Sequence, residues 1–190
     1  SILPTTYKVD NDIVRNPINM IGNKLSLKAV LITAPKSSVI DFLKVLETIG
    51  IKVVDVITSS LGDYACNRIK DLENKVGALI NIGEETTTVS IFNKGILTRA
   101  EVIELGGANI DNDIAYIYKI TKKDARELKE KIGLACTDMA RSEERVTLTD
   151  RLGENVLINQ KDLSEIIESR LKEILDLSKK QINLLTKKEI

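Results

Sequence analysis

The residues that could perform chemistry lie in one polar turn that follows an apolar run. The run Val76–Ile80 leads into Asn81-Ile-Gly-Glu-Glu-Thr-Thr, and a second apolar stretch follows. A turn with a glycine and several threonines between two buried strands can wrap its N–H and hydroxyl groups around an anion. The alternative is an ordinary hairpin, which the local pattern alone favours. The residues available to an anion are Asn81, Gly83, Glu84, Glu85, Thr86 and Thr87.

Composition excludes several other kinds of chemistry. The 190 residues include no histidine, so nucleophilic catalysis of the Ser–His or Cys–His type is excluded. Cys66 and Cys136 lack metal-ligand spacing, so we expect no metal site and no disulfide, and a reducing cytoplasm is the natural compartment. Lys+Arg and Asp+Glu both number 28, so no net field attracts nucleic acid. The longest apolar runs, of about eight residues, are too short to span a membrane.

The elements that precede the turn form an α/β series. Ser38-Val-Ile-Asp41 predicts a capped helix start, and Gly50 is placed to end that helix in a left-handed conformation. A second helix is predicted from the Ser59-Ser60 cap to about Asp71. The apolar stripe of the first helix consists of Val39, Phe42, Leu43 and Leu46. Strands are predicted at Ser1–Val9, Leu25–Ala34 and Ile51–Ile57.

The elements around and after the turn follow an equally regular pattern. Asn93-Lys-Gly95 predicts a tight turn between strands, and Thr121-Lys-Lys-Asp124 predicts a capping box for a helix that Gly133 ends. A helix is also predicted at Asn109–Tyr118, with Ile110, Ile114 and Ile117 on its buried face, and a long one from about Lys161 to Lys187. The predicted strands are Val76–Ile80, Thr87–Phe92, Ile96–Leu105, Arg145–Thr149 and Asn155–Asn159.

Several longer segments occur in this order: Pro4–Asp10, Asn16–Gly22, Gly50-Ile-Lys-Val-Val-Asp55, Gly106-Gly-Ala-Asn-Ile-Asp-Asn-Asp-Ile-Ala115 and Glu165-Ile-Ile-Glu-Ser-Arg-Leu-Lys-Glu-Ile174. Together they resemble one family of bacterial division proteins, FtsA. The resemblance covers nearly the whole chain. It is more specific than any single glycine-containing turn.

The resemblance implies an α/β chain with an actin-like, ribonuclease-H-like second domain and part of the inserted subdomain typical of FtsA. On this basis residues 1–53 are the later part of the insert, and residues 54–73 are a strand and linking helix of the first large domain. Residues 74–120 are then the core of the second large domain. Residues 121–190 are its outer subdomain and long returning helix. We expect the first phosphate loop, the adenine loop and a membrane-targeting helix to lie outside this chain.

The resemblance also assigns a role to the polar turn. In the family this turn reads Asp-x-Gly-Gly-Gly-Thr and holds the phosphates of ATP with Mg²⁺. Here Asn81 replaces the aspartate, Gly83 and Thr86 are kept, and Glu84 and Glu85 replace the next two glycines. Two carboxylates repel a triphosphate by charge and by bulk. The resemblance therefore implies a degenerate ATP site with no catalytic residue assigned.

Two further positions belong to this implied site. The family pattern Ala-Glu-x-x-Lys, near the ribose, reads Ala125-Arg-Glu-Leu-Lys129 here, so Lys129 is kept and Arg126 replaces the glutamate. The alternative is that Arg126 and Lys129 only form the solvated face of a helix. The pair Gly106–Gly107 is also kept, and its alternative interpretation is a turn that needs positive φ.

The function that the resemblance implies is a division scaffold at the inner face of the cell membrane. It would self-associate like actin and bind the C-terminal peptide of FtsZ filaments, with Glu168-Ser-Arg170 at a family position that tunes self-association. Lysines 179, 180, 187 and 188 could contact a carboxylate-bearing peptide, although the helix dipole alone favours lysine there. Two alternatives stay open. One is a type IV pilus scaffold of the PilM kind, and the other is an active ATPase of the actin superfamily.

Overall fold

The structure, a computed structural model, describes residues 2–14, 16–67 and 73–186. The chain forms two compact units. The first comprises Ser1–Leu79 with Ser90–Ala100, and the second comprises Ile80–Val89 with Glu101–Ile190. Both units combine strands and helices, which confirms the predicted α/β class. Within the described ranges, every helix is too short or too polar to cross a lipid bilayer.

The first unit begins with a three-stranded antiparallel sheet. Strand β1 (Ile2–Val9) lies between β2 (Asp12–Val14) and β3 (Leu25–Leu31). Asp10 turns the chain at a φ of 53°, and its Oδ1 accepts the N–H groups of Asn23 and Lys24 at 3.0 and 2.9 Å. These bonds hold the end of the proline- and glycine-containing loop against the sheet.

Helix α1 (Lys36–Thr48) begins earlier than its sequence predicts. Pro35 is the N-cap residue and no side chain caps the helix, so the predicted capping box at Ser38–Asp41 is wrong. A proline has no N–H to leave unsatisfied, so the chain enters the helix directly after it. The apolar stripe of α1 is present but not buried, and Phe42 is 67% exposed. Gly50 adopts a φ of +81°, as the sequence predicts.

The segment Ile51–Ile57 is irregular, and the predicted strand is wrong. Its β-branched side chains are largely exposed, and Val54 is 92% exposed. β-propensity reflects packing against neighbouring strands more than an intrinsic backbone preference, so a β-branched run without such a neighbour does not form a ladder. Helix α2 (Ser59–Asn67) follows, and the rest of its predicted range, to about Asp71, lies outside the described residues.

A second three-stranded sheet carries the polar turn. Its strands are β4 (Val76–Ile82), β5 (Thr87–Asn93) and β6 (Ile96–Ile103), in that order across the sheet. The central strand β5 is the most buried of the three. Lys94 and Gly95 adopt φ values of 51° and 77°, which confirms the predicted tight turn between β5 and β6.

Helix α2 packs against β5 within the first unit. The ring of Tyr64 stacks on that of Phe92 at a centroid distance of 4.6 Å. Ser90 Oγ donates a hydrogen bond of 2.8 Å to Ser60 Oγ, and both side chains are buried. This pairing satisfies two hydroxyl groups that would otherwise be costly to bury.

The second unit contains the main aliphatic core. Its helices are α3 (Gly107–Ile117), α4 (Lys122–Ile132) and α5 (Gln160–Thr186), and its antiparallel hairpin consists of β7 (Arg145–Thr149) and β8 (Asn155–Asn159). The predicted buried face of α3 is correct except for Ile117, which is 53% exposed at the end of the helix. The core comprises Ile110, Ile114, Ala115, Ile120, Ala125, Leu128, Ile132, Ile158, Leu163 and Ile167.

Helix α4 starts and stops at the predicted residues. Thr121 Oγ1 accepts the N–H of Asp124 at 3.1 Å and donates to Asp124 Oδ2 at 2.7 Å. Gly133 ends the helix with a φ of −68°, so a left-handed conformation is not its reason. A Cβ at Gly133 would lie 2.4 Å from Lys129 O and 2.7 Å from Ile167 Cδ1. The contact with the carbonyl oxygen of Lys129, in the last turn of α4, therefore requires glycine there, whereas the Ile167 side chain can move aside.

The hairpin and the long helix α5 confirm their predictions. Val146 pairs with Ile158 in the hairpin register, and the buried side of α5 includes Leu163, Ile167 and Ile174. Helix α5 is described to Thr186. The predicted end at Lys187 and the lysines at positions 187 and 188 lie outside the described residues.

Candidate functional site

The polar turn between β4 and β5 is open to solvent. All six residues from position 81 to 86 are exposed. The N–H of Gly83 donates to Thr86 O at 2.8 Å and closes the turn. Thr87, the first residue of β5, is fully buried, and its Oγ1 donates to Leu105 O at 2.8 Å. The Thr87 hydroxyl therefore joins β5 to the end of the segment that follows β6.

The N-terminus of α3 packs directly against this turn. Gly107 N donates to Gly83 O at 2.9 Å, and Ala108 N donates to Glu84 O at 2.7 Å. The N–H of Gly106 donates to Asn109 Oδ1 at 2.9 Å. The N–H groups at a helix N-terminus are the usual anion donors, and two of them here bond the carbonyls of the turn.

Gly106 allows this close approach. The residue is buried, and a Cβ there would lie 2.5 Å from Glu84 O and 2.6 Å from Gly83 O. Its φ of −159° is extended backbone that any residue adopts. The alternative interpretation of Gly106–Gly107 as a turn that needs positive φ is therefore wrong. The requirement for glycine is the space between two backbones.

Lys129 joins α4 to the first turns of α3. Its Nζ lies 2.6 Å from Asp111 Oδ1 and donates to Gly107 O at 3.2 Å. The Lys129 side chain is 20% exposed and that of Asp111 is 9% exposed. Asp111 Oδ1 makes no regular hydrogen bond among the described residues, so the charge of Lys129 is what offsets this buried carboxylate.

Glu84 of the polar turn and Arg126 of α4 contact each other. Arg126 Nη1 lies 3.0 Å from Glu84 Oε1, and Arg126 Nε lies 3.2 Å from Glu130 Oε1. The hydrogen bond to Glu130 and the charge of Glu84 raise the pKa of Arg126 above its ordinary value. The guanidinium thus joins the polar turn to α4.

The structure brings most of the predicted site residues together, with different exposures. Gly83, Glu84, Gly106 and Gly107 form the contact between turn and helix, and Lys129 lies beside Gly107. The side chains of Glu85 and Thr86 face solvent at the tip of the turn. Asn81 is exposed near the end of β4 and has an interaction partner, whereas Thr87 is buried below the turn.

Sequence reasoning missed two residues of this site. Asp111 is the partner of Lys129, and Asn109 accepts the N–H of Gly106. Neither has a sequence signal stronger than its place on a predicted helix. The contact between Glu84 and Arg126 has no sequence signal beyond the opposite charges of the two residues.

The comparisons with solved structures define the class of fold. MreB5 of Spiroplasma citri bound to ADP superimposes with a TM-score of 0.66 at 19% identity, covering 79% of this chain and 48% of that one. The PilM-PilN type IV pilus biogenesis complex gives a TM-score of 0.66 at 13% identity over 98% of this chain and 45% of that one. The protein therefore has an actin-like fold.

The sequence comparisons give the family. The profile of "Cell division protein FtsA" matches residues 78–187. The cell division protein FtsA of Bacillus subtilis (strain 168) is 32% identical over 184 residues, which is 95% of this chain and 42% of that protein. The chain belongs to the FtsA family of cell division proteins. It spans less than half of the length of that relative.

Proposed function

We propose that the chain is part of a division scaffold that tethers FtsZ filaments to the inner face of the cell membrane and self-associates like actin. Family membership over residues 78–187 is the observation that carries this proposal. The actin-like fold is the structural support for proposing self-association like that of actin. Such a scaffold acts in the cytoplasm, at the septum, within the divisome.

The nucleotide site of this scaffold is degenerate. ATP with Mg²⁺ requires bare backbone and open N–H groups where the phosphates lie. Here Glu84 places a carboxylate in the turn, and the N–H groups of Gly107 and Ala108 bond the carbonyls of that turn. These residues do not fit a triphosphate. A carboxylate and a phosphate charge about 4 Å apart repel by about 1 kcal/mol in water and by several times more when partly desolvated.

Arg126 reinforces the degeneracy of the site. An arginine near a triphosphate would ordinarily attract it, but the guanidinium is engaged by Glu84 and Glu130. Arg126, which stands where the family has a glutamate, therefore offers no unpaired positive charge to a phosphate. Glu84 therefore pairs with a guanidinium that would otherwise be available to a phosphate.

The partner proposal is tested by binding of a labelled FtsZ C-terminal peptide to the intact protein. Lys179 and Lys180 are exposed on α5, so we expect Lys179→Glu with Lys180→Glu to weaken binding of this carboxylate-bearing peptide. The matched control is Lys122→Glu with Lys123→Glu, an exposed lysine pair on α4. Binding of a pilus peptide without binding of the FtsZ peptide would favour the PilM-like alternative and contradict the proposal.

Phosphate release from Mg-ATP tests the enzymatic alternative. If the nucleotide site is degenerate, the polar turn does not support ATP hydrolysis. The intact protein and its Thr86→Ala variant should then release phosphate at the same background rate. Asn81→Ala is the parallel variant at the position of the family aspartate. A clear release rate that either substitution abolishes would show a working ATPase and overturn the degenerate site.

A further inference from the structure

A groove in the second unit lies away from the polar turn. It runs between the C-terminal end of α3 and one side of the first half of α5, with a volume of about 640 Å³. Asp162, Ile166 and Arg170 line it at intervals of four residues, so one helical stripe forms a whole wall. From Asp162 to Glu173 this wall is about 17 Å long at 1.5 Å per residue. That length accommodates about five residues of an extended peptide.

The apolar lining of the groove, which we call its floor, is partly aromatic and open to solvent. Tyr116 is 85% exposed and Ile117 is 53% exposed, although both stand at the end of a helix whose other face is core. Tyr118 and Ile166 are half-buried and complete the floor. Isolated exposed apolar residues are ordinary on a protein surface, but these lie together in a concavity.

The rim of the groove is acidic. It carries four carboxylates and one guanidinium, and this guanidinium is already paired. Arg170 bonds Asp113 through Nε at 2.6 Å and Nη2 at 2.9 Å, and its Nη1 pairs with Glu173. Glu165 has no ion-pair partner within the described ranges. Arg170 neutralises only one of the two charges on Asp113 and Glu173, and Asp162 and Glu165 add the other negative charges of the rim.

The phenol of Tyr118 responds to the same negative charge. Burial, and then the carboxylates of Asp162 and Glu165, raise its pKa to about 12. Phosphate-bearing ligands such as nucleic acid or anionic lipid would be repelled by this rim. The groove instead matches a ligand that combines apolar bulk with positive charge.

We propose that this groove docks a polypeptide segment in which large apolar side chains are flanked by lysine or arginine. The apolar side chains lie on the floor formed by Tyr116 and Ile117, and the cations pair with Asp162 and Glu165. Complementary charge provides selectivity, and the apolar floor provides most of the contact area. This site is separate from the lysines at positions 179 and 180, so it does not rest on the proposed FtsZ contact.

Fluorescence anisotropy of the intact protein with the labelled peptide Gly-Lys-Leu-Phe-Arg-Lys tests the proposal. Saturable binding is expected, and Glu165→Lys should weaken it at least about fivefold because it reverses a rim charge. Tyr116→Ala should weaken peptide binding by about fivefold because it removes an aromatic contact from the floor of the groove. Both side chains are exposed, so neither variant should unfold the protein, and circular dichroism verifies this.

Three results would overturn the proposal. The first is an equal loss with the control Glu143→Lys, an exposed acid outside the groove, because the binding would then be non-specific. The second is equal or tighter binding of the charge-inverted peptide Gly-Glu-Leu-Phe-Glu-Glu. The third is a change of oligomeric state with Glu165→Lys in sedimentation equilibrium, because the occupant would then be a second copy of the chain.

Discussion

Glu84 and Arg126 are 42 positions apart in the sequence, and their side chains meet at 3.0 Å. Each departs from the family pattern, and the two departures have opposite charges. Both side chains are more than half exposed, so the pair adds little to stability. Its consequence is positional, because the contact holds the Glu84 carboxylate of the turn beside the Arg126 guanidinium of α4.

Glu168 is a second residue whose contacts matter, because they change the pKa of its carboxyl group. Its Oε2 accepts the N–H of Thr137 at 2.8 Å and the Thr137 hydroxyl, and its Oε1 lies 2.7 Å from Lys172 Nζ. The hydrogen bond with Lys172, then those with Thr137, lower the pKa of Glu168 from 4.5 to about 2. The charged form is therefore favoured in the folded protein.

The lowered pKa predicts a pH dependence of stability. A carboxylate with a depressed folded pKa stabilises the protein above its unfolded pKa, and this stability is lost as the pH falls. We expect the wild-type free energy of unfolding to fall more steeply between about pH 4.5 and pH 2 than that of Glu168→Gln. Urea unfolding across this range measures the difference. Glu143→Gln should follow the wild type, and identical slopes for Glu168→Gln would contradict the prediction.

The contact between the turn and helix α3 is the central arrangement at the scale of elements. Gly106 permits it, since its missing side chain leaves room for the carbonyls of Gly83 and Glu84. A Cβ cannot lie 2.5 Å from a backbone oxygen, so a larger residue must separate the turn from the helix and lose two hydrogen bonds.

Gly106→Ala should therefore destabilise the protein by about 1–3 kcal/mol, as overpacking does in tight interiors. Chemical denaturation measures the change. The control is Gly62→Ala in α2, where a Cβ meets nothing within 4 Å and should stabilise the helix by about 0.5–1 kcal/mol. A neutral effect of Gly106→Ala would show that the turn moves freely relative to α3.

Lys129 fixes α4 to α3, and its removal is a further test at this scale. Lys129→Ala leaves the Asp111 carboxylate buried without its cation, at a cost of about 2–3 kcal/mol, below that for a fully buried pair because Lys129 is partly exposed. Urea unfolding measures the loss. Lys123→Ala, whose side chain is 83% exposed, should cost almost nothing, and equal losses for both variants would refute the assignment.

Elements with local signals could be predicted from the sequence. The Thr121 cap, the Lys94–Gly95 turn and the spacing of α5 are set by neighbours in the chain, so the pattern contains them. The strand at Ile51–Ile57 was predicted wrongly because a strand depends on a neighbour that β-branched residues do not specify. The start of α1 was wrong because Pro35 outweighed a weak capping box.

The candidate site was predictable in its positions but not in its contacts. The resemblance placed the turn, Gly106–Gly107 and Lys129, and the structure brings them together. The pairing of Glu84 with Arg126 and the burial of Asp111 depend on how α3, α4 and the turn pack. The spacing of residues along the chain does not predict distances between side chains on separate elements.

At the scale of the whole molecule, the chain combines an actin-like fold with a polar turn whose carbonyls bond the first N–H groups of α3. The fold neighbour MreB5 was solved bound to ADP. In this chain, the polar turn carries Glu84 and packs its carbonyls on α3. This arrangement leads to the central claim of the proposed function. The protein acts as a division scaffold, and its polar turn does not bind nucleotide.

Isothermal titration of Mg-ATP into the intact protein tests this claim most directly, with the wild type, Glu84→Gly and the control Glu143→Gly compared. We expect a wild-type dissociation constant for Mg-ATP above about 1 mM. Glu84→Gly should bind at least about tenfold more tightly, because it removes a repelling carboxylate and releases Arg126 toward the phosphates, and Glu143→Gly should match the wild type. Micromolar binding by the wild type, or no gain from Glu84→Gly, would contradict the account.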